Sequence, residues 1–175
     1  MRDKRNIIII GGGVIGLSLA YHLSKKGAKD ILLLERNQLT SGTTWHAAGI
    51  VGPLRPSLNF TRLASQALKT FAELERETGM ATGYQQTTGY WIARCPERMD
   101  ELKRIHAMAE FTGMTPEMVS AEEVTARVHG ISAKGIYGAL TLKEDGQVNP
   151  VDLSMAYLKA ARKNEVQIRE GVLVK

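Results

Sequence analysis

Four consecutive β-branched residues, Ile7 to Ile10, open the hydrophobic pattern of the chain. An unbroken apolar run of this kind predicts a parallel strand buried on both faces. Ile15, Leu19 and Leu23 then recur at four-residue spacing, which predicts a helix, and Gly27 supplies its stop signal. Ile31 to Leu34 reads as a second apolar strand, closed by the acidic Glu35. Beyond it, in "RNQLTSGTTWHAAGIVGPLRPS", neither the helical nor the strand period is present.

Periodicity returns at Ser57, which can cap a helix running to about Thr78 with Phe60, Ala64, Leu68, Phe71 and Leu74 on one stripe. Tyr84 to Ala93 predicts a strand with a glycine interruption, and Glu97 to Phe111 another helix. For Tyr90 and Trp91, packing in the sheet outweighs stacking on a substrate. Ser120 is followed three residues later by Glu123, the spacing of a capping box. "GIYGALTL" is a short strand, Asp145-Gly146 a turn, and Asn149-Pro150 the start of a helix with Leu153, Tyr157 and Ala161 on one face. Val166 to Val174 predicts a last strand.

Composition narrows the functional classes. The 175 residues are 43% hydrophobic and 23% charged, ordinary for a globular protein with a core of its own. A net charge of +5 arises from 23 Lys and Arg against 18 Asp and Glu, spread without blocks, so no nucleic-acid partner is expected. The lone Cys95 excludes an internal disulfide and a multi-cysteine metal site, and suits a reducing compartment. His22, His106 and His129 stand without a second ligand at metal spacing, so no metal is expected. No segment reaches the ~20 apolar residues that cross a bilayer, so no membrane partner is expected. The start, "MRDKRN" before an apolar run, has the outline of a secretory leader, but Asp3 and three adjacent glycines argue against one.

Gly11, Gly13 and Gly16 complete a Gly-x-Gly-x-x-Gly pattern between the first strand and its helix. The first allows a tight turn, the second a close approach of pyrophosphate to the backbone, and the third close helix packing. The helix N-terminus offers free N–H groups and a partial positive charge to phosphates. Glu35 stands where a carboxylate accepts the hydroxyls of a ribose and repels a 2′-phosphate. These features predict dinucleotide binding, with NAD or FAD as the choices. Long ordered loops are usually functional. The Ser-, Thr- and Gly-rich segment after Glu35 suits a large dinucleotide better than the crossover helix of a simple NAD domain.

Four segments in order, "IIIIGGGVIGLSLAYHL", "LLLERNQLTSGTTWHAAG", "ETGMATGYQQTTGYWIA" and "DGQVNPVDL", closely resemble the dimethylglycine dehydrogenase and sarcosine dehydrogenase family of FAD-dependent amine oxidoreductases. That family lies within the D-amino-acid oxidase fold group, and the resemblance covers essentially the whole chain. It implies an α/β fold: a Rossmann-like FAD-binding domain, parallel sheet with helices, carrying an inserted α+β segment of a substrate domain. The implied division is 1–80 for the FAD-binding segment, 81–145 for part of the substrate domain, and 146–175 for the return to the FAD-binding domain.

The resemblance also implies site residues. The histidine of the Trp-His-Ala-Ala-Gly segment, here His46, bonds covalently to the 8α-methyl carbon of the flavin. The residues alone leave open a packed loop histidine or a non-covalent contact. Gly11, Gly13, Val14, Ile15 and Gly16 fall at the pyrophosphate turn, with Glu35 and Arg36 near the adenosine ribose. Ser41, Gly42, Thr43, Thr44, Trp45, His46, Ala47, Ala48, Gly49 and Ile50 run along pyrophosphate and flavin, and Val174 presents backbone to the adenine.

Family members are longer, with a second glycine-containing flavin segment and, in many, a C-terminal folate-binding region. The chain therefore reads as a truncated N-terminal part, inactive alone, with sheet edges and apolar faces left open. The implied whole protein oxidises a small N-methyl amine by hydride transfer to FAD. Its acceptor is oxygen or an electron-transfer flavoprotein, and its setting a bacterial-style cytoplasm, or a mitochondrial matrix for a processed form. The rivals are a non-covalent FAD oxidase of the same fold, a catalytically dead remnant, and a plain NAD dehydrogenase.

Overall fold

The computed structural model describes residues 4–175, so Met1 to Asp3, part of the leader-like start, lie outside the described residues. In chain order the elements are β1 (Ile7–Ile10), α1 (Val14–Lys25), β2 (Ile31–Leu34), a 3₁₀ turn (Thr43–His46), β3 (Ile50–Val51), α2 (Leu58–Thr78), β4 (Gln85–Gln86) and β5 (Gly89–Ala93). They continue with α3 (Pro96–Phe111), β6 (Pro116–Val119), α4 (Ala121–Arg127), β7 (Gly138–Leu142), β8 (Gly146–Gln147), α5 (Pro150–Lys163) and β9 (Gln167–Arg169). Two compact units result. Among the described residues the first takes in 4–49, Lys69–Tyr84 and Val148–Lys175, and the second Ile50–Leu68 and Gln85–Gln147.

The first unit is built on a parallel sheet in the order β1-β2-β9. Ile7 pairs with Ile31 and Ile10 with Leu34, while Leu32 pairs with Gln167. The central β2 is buried, as its apolar run requires. β1 departs from expectation: Ile9 is buried, but Ile8 and Ile10 are 55% and 68% exposed. Among the described residues β1 pairs only with β2, so one edge and much of one face stay open.

On α1 the buried residues are Leu17, Ala20 and Tyr21, whereas Ile15 and Leu19, read as the core stripe, are exposed. The reason is α5, which packs on α1 and buries Leu153, Tyr157, Ala160 and Ala161 of its own. Small residues bring the two backbones close, and the Tyr21 and Tyr157 rings meet at 5.5 Å. Asn149 starts α5 as read from sequence, its Oδ1 accepting the N–H groups of Val151 and Asp152 at 3.0 and 3.2 Å. In the C-terminal part of α2, Phe71 and Leu74 are buried and Phe71 meets Tyr84 edge-on, but Phe60 at the other end of the same stripe is 64% exposed. The final strand stops at Arg169 rather than Val174, because the chain turns at Gly171 (φ +72°) and the Val172 N–H donates to the Glu35 carbonyl at 2.9 Å.

In the second unit an antiparallel sheet runs β5-β7-β6, with every residue of the central β7 buried. α3 covers it, and Leu102 and Leu140 join Ala93 in its core. β6 has too little alternation in "PEMV" to be read from sequence; it is formed by pairing with β7. The capping box of α4 is present: Glu123 N–H donates to Ser120 Oγ, and Ser120 N–H to Glu123 Oε2. A smaller sheet runs β3-β8-β4, so two short strands lie in stretches read as a loop or a turn.

The single strand expected over Tyr84 to Ala93 is two, β4 on β8 and β5 on β7. They part where Thr87 N–H donates to the Asp145 carbonyl at 2.8 Å. Asp145 is not an exposed turn residue either; the turn is at Lys143 and Glu144 and Asp145 is buried. A Cβ on Gly52 or on Gly89 would run into its carboxylate, so both glycines are needed to seat it. Trp91 Nε1–H donates to Asp145 Oδ2 at 3.2 Å, while Oδ1 has no partner. Burial first of all raises the Asp145 pKa, against the opposing effects of that bond and of Arg55. No helix among the described residues is long and apolar enough to cross a membrane.

Candidate dinucleotide site

The glycine turn between β1 and α1 is shaped by contacts that exclude side chains. Gly11 adopts φ +107° and donates its N–H to the Leu34 carbonyl at 2.8 Å, joining the turn to the end of β2. A Cβ on Gly16 would overlap the Gly11 carbonyl oxygen, so the third glycine lets the helix begin against its own loop, with the strand residue Ile9 next at 3.5 Å. On Gly13 a Cβ would sit 2.9 Å from Thr44 Oγ1. Gly12, not singled out in the motif, is crowded as well, because its Cβ would overlap Leu39 and approach the Glu35 side chain.

The loop after β2 folds back onto this turn. Thr40, at φ +65°, donates its N–H to the Gly12 carbonyl at 3.0 Å, and Trp45 N–H closes onto the Thr40 carbonyl at 3.1 Å. Thr44 is buried in the 3₁₀ turn, and its Oγ1 accepts the Val14 N–H at 3.0 Å. That hydroxyl thus serves the N-terminus of α1, where Gly13 offers no side-chain cap and no acid stands in the first turn. The first turn consequently keeps its positive end for an anion.

Glu35 is tied on both sides. Its Oε2 accepts the Gly12 N–H at 2.7 Å and its Oε1 the Asn37 N–H at 2.8 Å. These bonds lower its pKa, the Asn37 bond most, against partial desolvation. The carboxylate is held charged and oriented, with lone pairs remaining for hydroxyl donors.

A cleft of about 460 Å³ lies over the turn. Its walls include Gly11, Gly13, Val14, Ile15 and Gly16 on one side, and Glu35 and Arg36 at one end. Ser41, Gly42, Thr43, Thr44 and Ala47 come from the loop, joined by Asn37 and Thr40, which the motif reading did not include. An adjoining space of about 300 Å³ shares Ile10, Gly11, Glu35 and Arg36 with it and is closed by Val172 to Val174. Val174 reaches the site through the turn at Gly171, not as part of a strand.

Trp45, His46, Ala48 and Gly49 do not line either cavity, and Ile50 belongs to the second unit. His46 is exposed at the end of the 3₁₀ turn with Nδ1 3.1 Å from the Gly42 carbonyl oxygen. The contact fixes the ring against the loop's own backbone at Gly42.

The family model described as FAD dependent oxidoreductase matches residues 6–175. The chain belongs to that family. This FAD dependent oxidoreductase chain is 34% identical over 168 residues to mitochondrial dimethylglycine dehydrogenase of Rattus norvegicus, covering 96% of the chain and 20% of that protein. It is 38% identical over 167 residues to 4-methylaminobutanoate oxidase (formaldehyde-forming) of Paenarthrobacter nicotinovorans, covering 95% of the chain and 20% of that protein. The crystal structure of glycine oxidase from Bacillus cereus superposes with a TM-score of 0.80 at 26% identity, over 98% of the chain and 49% of that structure. The chain spans about a fifth of the length of these two curated relatives. The chain has residues that fit the family's cofactor: a side-chain-free turn at a helix N-terminus, an oriented carboxylate, and two adjoining spaces that share it.

Proposed function

We propose that this chain supplies the FAD-binding part of an oxidoreductase that oxidises small N-methyl amines such as dimethylglycine or sarcosine, with His46 as a covalent anchor for the flavin. The single observation that carries the anchor is the position of His46, exposed at the end of the 3₁₀ turn with Nδ1 3.1 Å from the Gly42 carbonyl oxygen. An unprotonated imidazole nitrogen is the nucleophile such a bond needs.

When bound, FAD supplies the acceptor for a hydride leaving the N-methyl carbon, and the oxidised carbon is lost on hydrolysis as formaldehyde. The chain's own residues bind and orient. Gly11 to Gly16 and the start of α1 receive the pyrophosphate, and Glu35 with Arg36 the ribose. Val174 offers backbone to the adenine, and the cleft-lining loop residues Ser41, Gly42, Thr43, Thr44 and Ala47 face the pyrophosphate. Catalysis is proposed for a longer protein that includes this chain, with oxygen or an electron-transfer flavoprotein as acceptor; a folate partner belongs to a further region. The lone, free Cys95 suits a reducing setting such as bacterial cytoplasm or mitochondrial matrix.

The test is the intact mass, after acid denaturation, of the full-length protein produced with FAD, beside His46→Ala. The expected result is an added mass of ~0.8 kDa that vanishes in the variant. Flavin released intact from the unaltered protein would overturn the covalent anchor and favour a non-covalent oxidase of the same fold.

A further inference from the structure

The second unit holds a cavity of about 460 Å³ that shares no residue with the dinucleotide cleft. Leu54, Pro56, Trp91, Ile105 and Met108 give it apolar walls. Leu54 belongs to the buried core, and Trp91, Ile105 and Met108 pack half-buried against it, so the floor is continuous with the core rather than a loose surface patch. The volume is that of a small-molecule site.

Trp91 is held in place. Its indole N–H is taken by the buried Asp145, so the ring offers its apolar surface and no donor. The two glycines that seat Asp145 therefore also set one wall of the cavity.

The polar groups are unequal in charge. Arg55 and Arg104 both line the cavity, together with Glu101. Glu101 is bonded to Arg98 at 2.6 Å, which offsets its charge. Asp100, the acid one helical turn before Arg104, is bonded to Lys103 at 2.8 Å. Arg55 Nη1 donates to the Leu54 carbonyl at 2.7 Å. Among the described residues no salt bridge joins Arg55 or Arg104 to a carboxylate, and their charges act only at longer range, Arg55 on Asp145 and Arg104 on Asp100. Two guanidiniums beside an apolar pocket are complementary to one anionic group on an apolar body.

We infer that this cavity binds a small monocarboxylate with an aromatic or branched apolar body, its carboxylate at Arg55 and Arg104 and its body against Trp91, Ile105 and Met108. The site does not rest on the reading of the oxidised substrate. With Arg55 and Arg104 in its lining against the single acid Glu101, itself bonded to Arg98, it disfavours an added ammonium and so separates simple carboxylic acids from amino acids.

The experiment is isothermal titration calorimetry of the full-length protein loaded with FAD, using 4-phenylbutyrate as the probe and 4-phenylbutanol as its uncharged counterpart. Saturable one-to-one binding of the acid is expected, with the alcohol at least about tenfold weaker. Arg104→Gln and Arg55→Gln, at exposed positions, should each weaken the acid by about tenfold and leave the alcohol unchanged. No saturable binding of the acid, equal binding of acid and alcohol, or no effect of either substitution in a protein with unchanged circular dichroism would overturn the assignment.

Discussion

Replacing Glu35 with Gln tests whether the acid at the end of β2 organises the cleft before any ligand arrives. The carboxylate accepts two backbone N–H bonds, from Gly12 at 2.7 Å and Asn37 at 2.8 Å. A glutamine has one acceptor oxygen and turns an amide N–H₂ toward the second donor, so one bond is lost and the other becomes neutral. Bonds to a charged acceptor contribute roughly 1.5–3 kcal/mol and neutral ones roughly 0.5–1.5. Allowing for solvent screening at this half-exposed position, the expected loss is about 2 kcal/mol at neutral pH. Urea unfolding followed by far-ultraviolet circular dichroism measures it. The pH dependence follows from the lowered Glu35 pKa: its stabilisation is present above the ordinary carboxylate range and disappears as pH falls through the depressed folded-state value. The two proteins should therefore differ most at neutral pH and converge in acid. A loss under about 0.5 kcal/mol at neutral pH, or a loss as large below the carboxylate range as above it, would refute the reasoning.

Two further changes test other parts of the structure. Gly16→Ala places a Cβ on the Gly11 carbonyl oxygen, and the forced shift of the helix start should cost about 1–3 kcal/mol in thermal unfolding and weaken FAD retention; an unchanged melting temperature contradicts the packing. Asp145 has its pKa raised by burial, with Trp91, Arg55 and Glu144 as the other groups acting on it, so its protonated carboxyl favours folding below the ordinary range and that advantage is lost as pH rises through the folded-state value. Asp145→Asn should accordingly gain in melting temperature relative to the unaltered protein at pH 8 and not at pH 4; the opposite ordering would show that the charged form is the one the fold stabilises.

What the sequence alone determined is what depends on neighbours along the chain. The strands at Ile7 and Ile31, the glycine turn, the stop at Gly27, the capping box at Ser120 and the Asn149-Pro150 helix start all stand where the residues placed them, because each rests on backbone conformation or on a bond spanning a few positions. The acid at 35 and the loop that follows it were legible for the same reason, as local chemistry in a fixed order.

Tertiary structure decided which faces are covered. Ile15 and Leu19 have helical spacing but lie exposed, because α5 covers α1 on the side of Leu17, Ala20 and Tyr21. The run from Tyr84 to Ala93 became two strands because its halves pair with β8 and β7, two different and remote partners. Gly12 entered the site through contacts at separations of more than twenty residues, with Glu35 and Leu39, and Thr44, already a site residue in the sequence reading, found its partner at the start of α1 across a similar distance. Asp145, read as a turn, is buried because Gly52 and Gly89 come together around it from distant positions. Periodicity marks where a face is apolar; only the pairing of remote segments decides what covers it, and there the free energy of burial outweighs local preference.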